Sequence, residues 1–455
     1  MNTRTLATAA IFIIMSASLA GLFVGCRTTG ATGETLLGVL PAGWHTVGTI
    51  TSKDGLHIAH VMIKEGGEDK QRVVVDGRPG PEYDGILEGT PCFSPDGSRV
   101  AYAAKKDNRW RAIVDDRPGP AYDAAGDLIF SPDGKRVAYR AQNGIRHFVV
   151  VDGRPSPEYD GTGGGTLVFS PDGKHFAYAA KTGGKWVAVV DGQPGPEYDG
   201  VAAAVFSPDG KRVAYAALKG EKWLVVVDGQ PGPEHDAIRG LVLSPDGKRT
   251  AYLAQRGDKQ LVVVDGQPGP EYDATRDLVF SADGKRVAYV AQIDTKQFVV
   301  VDGQPGPEYG RSLVGGPVFN SAGSRVAYLA VKSGRALVVV DGKPGPEYDA
   351  TSDPVFSPDG KRVAYKAWKD NEWMMVVDGQ PRPEPGRSLE GAPVFSPDGK
   401  RVAYLVLRGY KWLAVIDGRD GLEYDAIATR EPAFGPDGLI EYLAMRSDSL
   451  FRAKQ

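Results

Sequence analysis

Apolar residues along this chain come in short runs separated by turn chemistry. In Val205–Asp236 the pair Val205-Phe206 meets the polar Ser207-Pro-Asp-Gly210, and a second run, Val213-Ala-Tyr-Ala-Ala-Leu218, follows. A polar break leads into Trp223-Leu-Val-Val-Val227 and then into Asp228-Gly-Gln-Pro-Gly-Pro-Glu-His-Asp236. Short apolar runs bounded by Gly, Pro, Asn and Asp predict strands. Proline presets φ at the second position of Ser-Pro-Asp-Gly, and glycine takes the position that needs φ > 0. Trp223–Val227 is apolar at successive positions, which predicts a strand covered on both faces. The unit therefore reads as a strand ending at Phe206, a second over Arg212–Ala217, a third over Trp223–Val227 and an outer one from Glu234 onward.

The unit recurs along almost the whole chain. Serine-initiated turns start at Ser94, Ser131, Ser170, Ser207, Ser244, Ser281, Ser357 and Ser396, with weaker copies at Ser52, Asn320 and Gly435. A fixed period of this length means a repeat fold. Four short antiparallel strands per unit predict an all-β chain built as a β-propeller of ten to eleven repeats. The repeat Ser-Pro-Asp-Gly-Lys-Arg-Val-Ala-Tyr resembles the WD40-like (PD40) repeat of TolB-type propellers. The resemblance covers nearly everything from Trp44 onward and implies four-stranded blades. The chain departs from that family in the Asp-Gly-Gln-Pro-Gly-Pro-Glu-Tyr-Asp segment and in its number of units. Uniform spacing without a linker favours one large ring over two smaller ones. The final unit, Glu431–Gln455, has no outer strand of its own, and Glu34–Leu40 is the segment expected to supply it.

Composition adds a few limits. The net charge of −3 and the absence of a basic block give no electrostatic pull on nucleic acid. The excess of glycine (59) and proline (33) sits at fixed places in each unit, as turn chemistry would have it. Two cysteines, Cys26 and Cys92, exclude a disulfide framework. At the N-terminus Arg4 precedes an apolar stretch that ends Leu22-Phe-Val-Gly-Cys26, and such a stretch reads as an export signal. Its end resembles a bacterial lipobox, which implies cleavage before Cys26 and lipid on its thiol. The chain thus divides into a signal peptide over 1–25, a tether over 26–43 and the repeat array over 44–455. It is expected to be exported and held on a membrane by that lipid, facing the periplasm or the exterior.

From the turn glycine to the Asp of the next Asp-Gly the spacing is constant, as in Gly97 to Asp115 and Gly210 to Asp228. Yet Ser94 to Ser131 is 37 residues and Ser131 to Ser170 is 39. The simplest place for the extra residues is the connection from the outer strand to the next inner strand. Those connections would emerge on one face, with the loops after the second strand, and per-repeat variation on one face marks a binding face. Its candidate residues are Asp84, Glu88, Asp127, Arg239, Arg276, Arg311, Arg387, Glu390 and Arg430. The aromatics entering the third strand, Trp110, Trp186, Trp223, Trp373 and Trp412, would form a collar beside them, although wedging between blades is the plainer role.

Two charged rings also have plainer readings. The aspartates that end Glu-Tyr-Asp (Asp84, Asp123, Asp160, Asp199, Asp236, Asp273, Asp349, Asp425) suit turn capping better than cation binding. The arginines after each turn (Arg99, Arg136, Arg212, Arg249, Arg286, Arg325, Arg362, Arg401) suit local pairing with turn carboxylates. Gly161-Thr-Gly-Gly-Gly165 lacks the Gly-Lys-Ser/Thr ending of a phosphate loop, and no nucleophile elbow occurs. The histidines have no metal spacing, so no cofactor or metal is expected. The sequence therefore points to a non-catalytic envelope propeller that binds a protein or peptide, or a glycan. The competing expectation is a glycan lyase or hydrolase using carboxylates at the central funnel.

Overall fold

The computed structural model describes residues 40–53, 57–66, 70–309, 315–427, 433–435, 438–446 and 449–454. The signal, the lipobox Cys26, the tether up to residue 39, Arg311 and Arg430 lie outside them. So does Glu34–Leu40 except Leu40, which is not in a strand.

The described residues form eleven antiparallel sheets in chain order, and the protein is an all-β propeller array. In the fifth sheet the inner strand is split into Gly200–Val201 and Val205–Phe206, followed by Val213–Lys219, Lys222–Val227 and Gln230–His235. Only the outer strand differs from expectation. It begins directly after the Asp-Gly turn, at Gln230 and not at Glu234, so the Gln-Pro-Gly-Pro-Glu segment is itself the outer strand. Asp228 and Gly229 both have positive φ (48° and 80°), which makes the tight primed turn that matches strand twist. The two prolines suit an unpaired edge, because they deny a further strand its donors.

The sheets stack face to face, and the strongest contacts run within a sheet or between sheets consecutive in the chain. The array is therefore one uninterrupted series and not two rings. Its core is divided among the boundaries. Between the fourth and fifth sheets, Ala188 and Tyr198 meet Tyr215, Ala217, Leu224 and Val226, all buried. Alanines in the second strand let the sheets approach, and a tyrosine fills what remains. Eight of the ten boundaries carry a Tyr–Tyr pair such as Tyr198–Tyr215, with ring centroids 5.9–6.5 Å apart and planes near perpendicular. That is the favoured edge-to-face geometry. His235 replaces the first tyrosine at one boundary, and Glu384 replaces it at another.

The Ser-Pro-Asp-Gly turns form a second ladder. Ser207, fully buried, donates to Asp209 at 2.6 Å and accepts from the Arg212 amide at 3.0 Å. Gly210 has φ +72°, and a Cβ there would stand 2.6 Å from the Asp172 carboxylate of the preceding sheet. Glycine is thus required twice, for its φ and for the approach of neighbouring turns.

Candidate functional site

The charged rings are built into the frame. Arg212 donates from Nε to Asp228 at 2.7 Å and reaches across to the Lys248 carbonyl of the next sheet at 2.5 Å. Arg325 does the same and lies over the Phe356 ring of the next sheet, 5.5 Å from its centroid. Local pairing was legible in the sequence; the reach across the boundary was not. His57 and His175 hold the arginine slot in two sheets and pair with Asp76 and Asp191 at 2.8 and 2.6 Å.

The Glu-Tyr-Asp aspartates act as latches. Asp273 accepts from Lys259 of its own sheet at 2.6 Å, and its other oxygen accepts from the Asp294 amide in the next sheet's hairpin at 2.5 Å. Asp84, Asp123, Asp160, Asp199, Asp236 and Asp349 cap the next sheet's hairpin amide in the same way. The capped turn therefore belongs to the neighbouring sheet and not, as the sequence suggested, to the segment that follows. The lysine beside them holds Asp84, Asp199, Asp236 and Asp273 below the usual carboxylate range.

The variable residues lie elsewhere than expected. In the fourth sheet the inner strand pairs before the extra residues, at Gly161↔Lys181 and Thr162↔Ala180, and again after them, at Val168↔Ala177. The insertion is thus a bulge in the middle of the inner strand, not a connection on an end face. First strands face the axis in a propeller, and here they are half-buried while the outer strands are exposed. Glu88, Asp127, Arg239, Arg276 and Glu390 accordingly stand on the inner edge. Asp127 and Asp277 occupy the bulge at φ +53° and +55°, where the sixth sheet has Gly240 at +62°. That Asp/Gly exchange is the sequence signal of a left-handed residue. Most of these charges are engaged: Asp127 with Arg140 at 2.5 Å, Arg239 with Gln260 at 2.5 Å, Arg276 with Asp277, and Glu390 with Ser388 at 3.0 Å. Glu88 is exposed.

The tryptophans are wedges. Trp110, Trp186, Trp223, Trp373 and Trp412 are half-buried and pair across to Tyr122, Tyr198, His235, Glu384 and Tyr424 of their outer strands. Clefts of about 420–660 Å³ lie at five boundaries on the opposite, Asp-Gly side. The one between the second and third sheets is lined by Arg99, Asp115, Pro118, Arg136 and Tyr139. The others repeat that chemistry, so they belong to the frame. Among the described residues no cluster of His, Cys, Asp and Glu could hold a metal, and no helix is long and apolar enough to cross a membrane. Cys92 is a free thiol whose pKa burial pushes up to about 11.

One boundary breaks the pattern, between the ninth sheet (350–384) and the tenth (387–420). In the other sheets with a full-length outer strand, that strand carries a bulge opposite the third. In the ninth, Gln380–Glu384 pairs with Trp373–Val377 without one. Arg382 stands where other units have the glycine of Pro-Gly-Pro, whose Cβ would lie 2.9–3.3 Å from a third-strand carbonyl. Removing the bulge slides the strand by one residue. Glu384 falls into the tyrosine slot, buried, and accepts from Tyr404 at 2.6 Å and Arg387 at 2.8 Å. Arg387 also grips Asp420 with two bonds, at 2.9 and 2.6 Å. Beside this network Lys366 is half-buried, 3.3 Å from the Leu389 carbonyl and 5.8 Å from the Trp373 ring, which stacks edge-on with Trp368 at 5.1 Å. Sequence reasoning named Arg387, Glu390 and Trp373 but passed over Lys366, Trp368, Arg382 and Glu384. Pro381-Arg-Pro-Glu-Pro-Gly386, which departs from every other unit, was the available signal.

No protein-family model and no curated protein matches the chain. Among solved structures, a eukaryotic initiation factor aligns at 15% identity over 70% of this chain and 93% of its own, with a TM-score of 0.38. TolB from Acinetobacter baumannii aligns at 16% identity over 56% of this chain and 77% of its own, with a TM-score of 0.25. The β-propeller domain of the trilobed protease from Pyrococcus furiosus aligns at 15% identity over 56% of this chain and 96% of its own, with a TM-score of 0.27. At these scores the propeller fold rests on the chain's own eleven sheets.

Proposed function

We propose that the protein is a binding or scaffolding propeller of the cell envelope that holds a protein or peptide partner. The supporting observation is the fate of its carboxylates. They are spread over ten boundaries and occupied in turns, latches and arginine pairs, whereas glycosidic chemistry needs two free carboxyls roughly 5–9.5 Å apart across a pocket. The residues that depart from the repeat stand on the inner edge and at the ninth–tenth boundary, and these are the surfaces offered to a partner. The test replaces the mid-strand segments carrying Glu88, Asp127, Arg239, Arg276 and Glu390 with the Ala202-Ala-Ala204 segment of the fifth sheet. Loss of the partners captured from envelope extract is expected; an unchanged set overturns the reading. We also propose export and lipid attachment at Cys26, on the strength of the apolar segment and lipobox-like residues before it. Cys26→Ser is expected to leave the membrane fraction, and a variant that stays membrane-bound rejects the anchor.

A further inference from the structure

The ninth–tenth boundary lacks a part that seven others possess. At those seven an aspartate from one sheet caps the hairpin amide of the next. At the tenth sheet the corresponding segment is Pro385-Gly386-Arg387, and among the described residues nothing accepts from the Gly409 amide. Arg387, the charged residue nearest the slot, is committed to Glu384 and Asp420. The hairpin left without its latch carries Tyr410, which is 95% exposed, the most exposed large apolar side chain among the described residues. On the ninth-sheet side, Lys366 has a carbonyl and a ring for company and no carboxylate within ion-pair distance, although Glu390 acts on it from further off. Trp368 and Trp373 stand beside it. Glu372 holds the place where other units have Lys or Arg, but Lys369 faces it across the hairpin.

We infer that this boundary is a docking site for an acidic peptide segment, whose carboxylate caps the Gly409 amide in place of the missing aspartate. The chain itself supplies the precedent for the ligand: every hairpin amide of this kind with a described partner receives an aspartate. A carboxylate bound to backbone N–H is a strong, charge-assisted contact. An apolar residue next to the acid rests on Tyr410, and the Lys366 ammonium, drawn to the incoming charge, finds the partner it lacks. The inference rests on the binding reading above and narrows it to one boundary and one chemistry.

The test uses the full chain and two peptides, Ac-Leu-Asp-Leu-NH2 and its Asn counterpart, with tryptophan fluorescence and titration calorimetry as readouts. The acidic peptide is expected to bind at least about tenfold more tightly than the Asn peptide. Tyr410→Ser and Lys366→Met each weaken it by about that factor. Ile145→Ser removes an equally prominent side chain from a hairpin that keeps its latch, and it leaves binding unchanged. The variant Arg382→Gly/Pro385→Tyr/Gly386→Asp restores the common sequence, refills the latch from within and abolishes binding. Equal affinity for the two peptides overturns the inference, as does indifference to Tyr410→Ser and to the refilled latch. No binding of either peptide at millimolar concentration overturns it too, while partner capture in the segment-replacement experiment still decides the broader reading separately.

Discussion

At the scale of single residues, the turn serine and aspartate show how a repeated motif stores stability. The Ser170 hydroxyl donates to Asp172 at 2.6 Å and the Lys174 amide donates at 3.2 Å. These bonds favour the ionised carboxylate, the serine bond most, and hold Asp172 at a pKa of about 2. Asp96, Asp133, Asp209, Asp246, Asp283, Asp359 and Asp398 are lowered by the same serine bond. A depressed folded-state pKa stabilises the fold above the unfolded value, and that contribution is lost as pH falls through the folded value. The thermal midpoint is therefore expected to hold steady down to the ordinary carboxylate range, about pH 4, and then to fall steeply toward pH 2, as followed by circular dichroism. A midpoint that changes no more below pH 4 than above it would count against the turn bonds. The motif and its turn were legible in the sequence because proline and glycine declare themselves. The partners across the boundary were not, because they lie a whole unit away and repeat too regularly to covary.

At the scale of elements, strand count and order follow from the alternation of apolar runs and turns. Two errors have a common cause. A bulge leaves no mark in a hydrophobic pattern unless a residue reveals its φ, as Gly240 and Asp127 do. The extra residues of the longer units were assigned to connections because a connection is where length usually changes, whereas pairing on both sides of Gly163–Thr166 keeps them inside the strand. The ninth outer strand teaches the converse. Replacing a bulge glycine with Arg382 removes the extra residue from the ladder, and everything downstream is offered to different partners. One substitution in the frame thus creates the site at Lys366, Glu384 and Arg387. The sequence displayed the departure, but its effect appears only when register is known.

At the scale of the whole molecule, eleven sheets that touch mainly their neighbours form a nearly one-dimensional system, whose stability approximates a sum of sheet and boundary terms. Weakening one boundary should then divide the array instead of lowering its stability evenly. Tyr215, 3% exposed and edge-on to Tyr198, is central to the boundary between the fourth and fifth sheets. Tyr215→Ala removes a large buried ring, a change that costs about 3–5 kcal/mol for aromatic side chains. Tyr215→Phe keeps the ring and its packing. Calorimetry is expected to show the single transition of the parent in Tyr215→Phe and two resolved transitions in Tyr215→Ala, one from the four sheets before the break and one from the seven after it. If Tyr215→Ala instead melts in one sharper or equally sharp step at lower temperature, the two parts are coupled by something besides this boundary. A ring closed through the first and last sheets would do that, since each part would then hold the other at two places. The same experiment thereby measures whether the series behaves as an open stack or as a closed propeller.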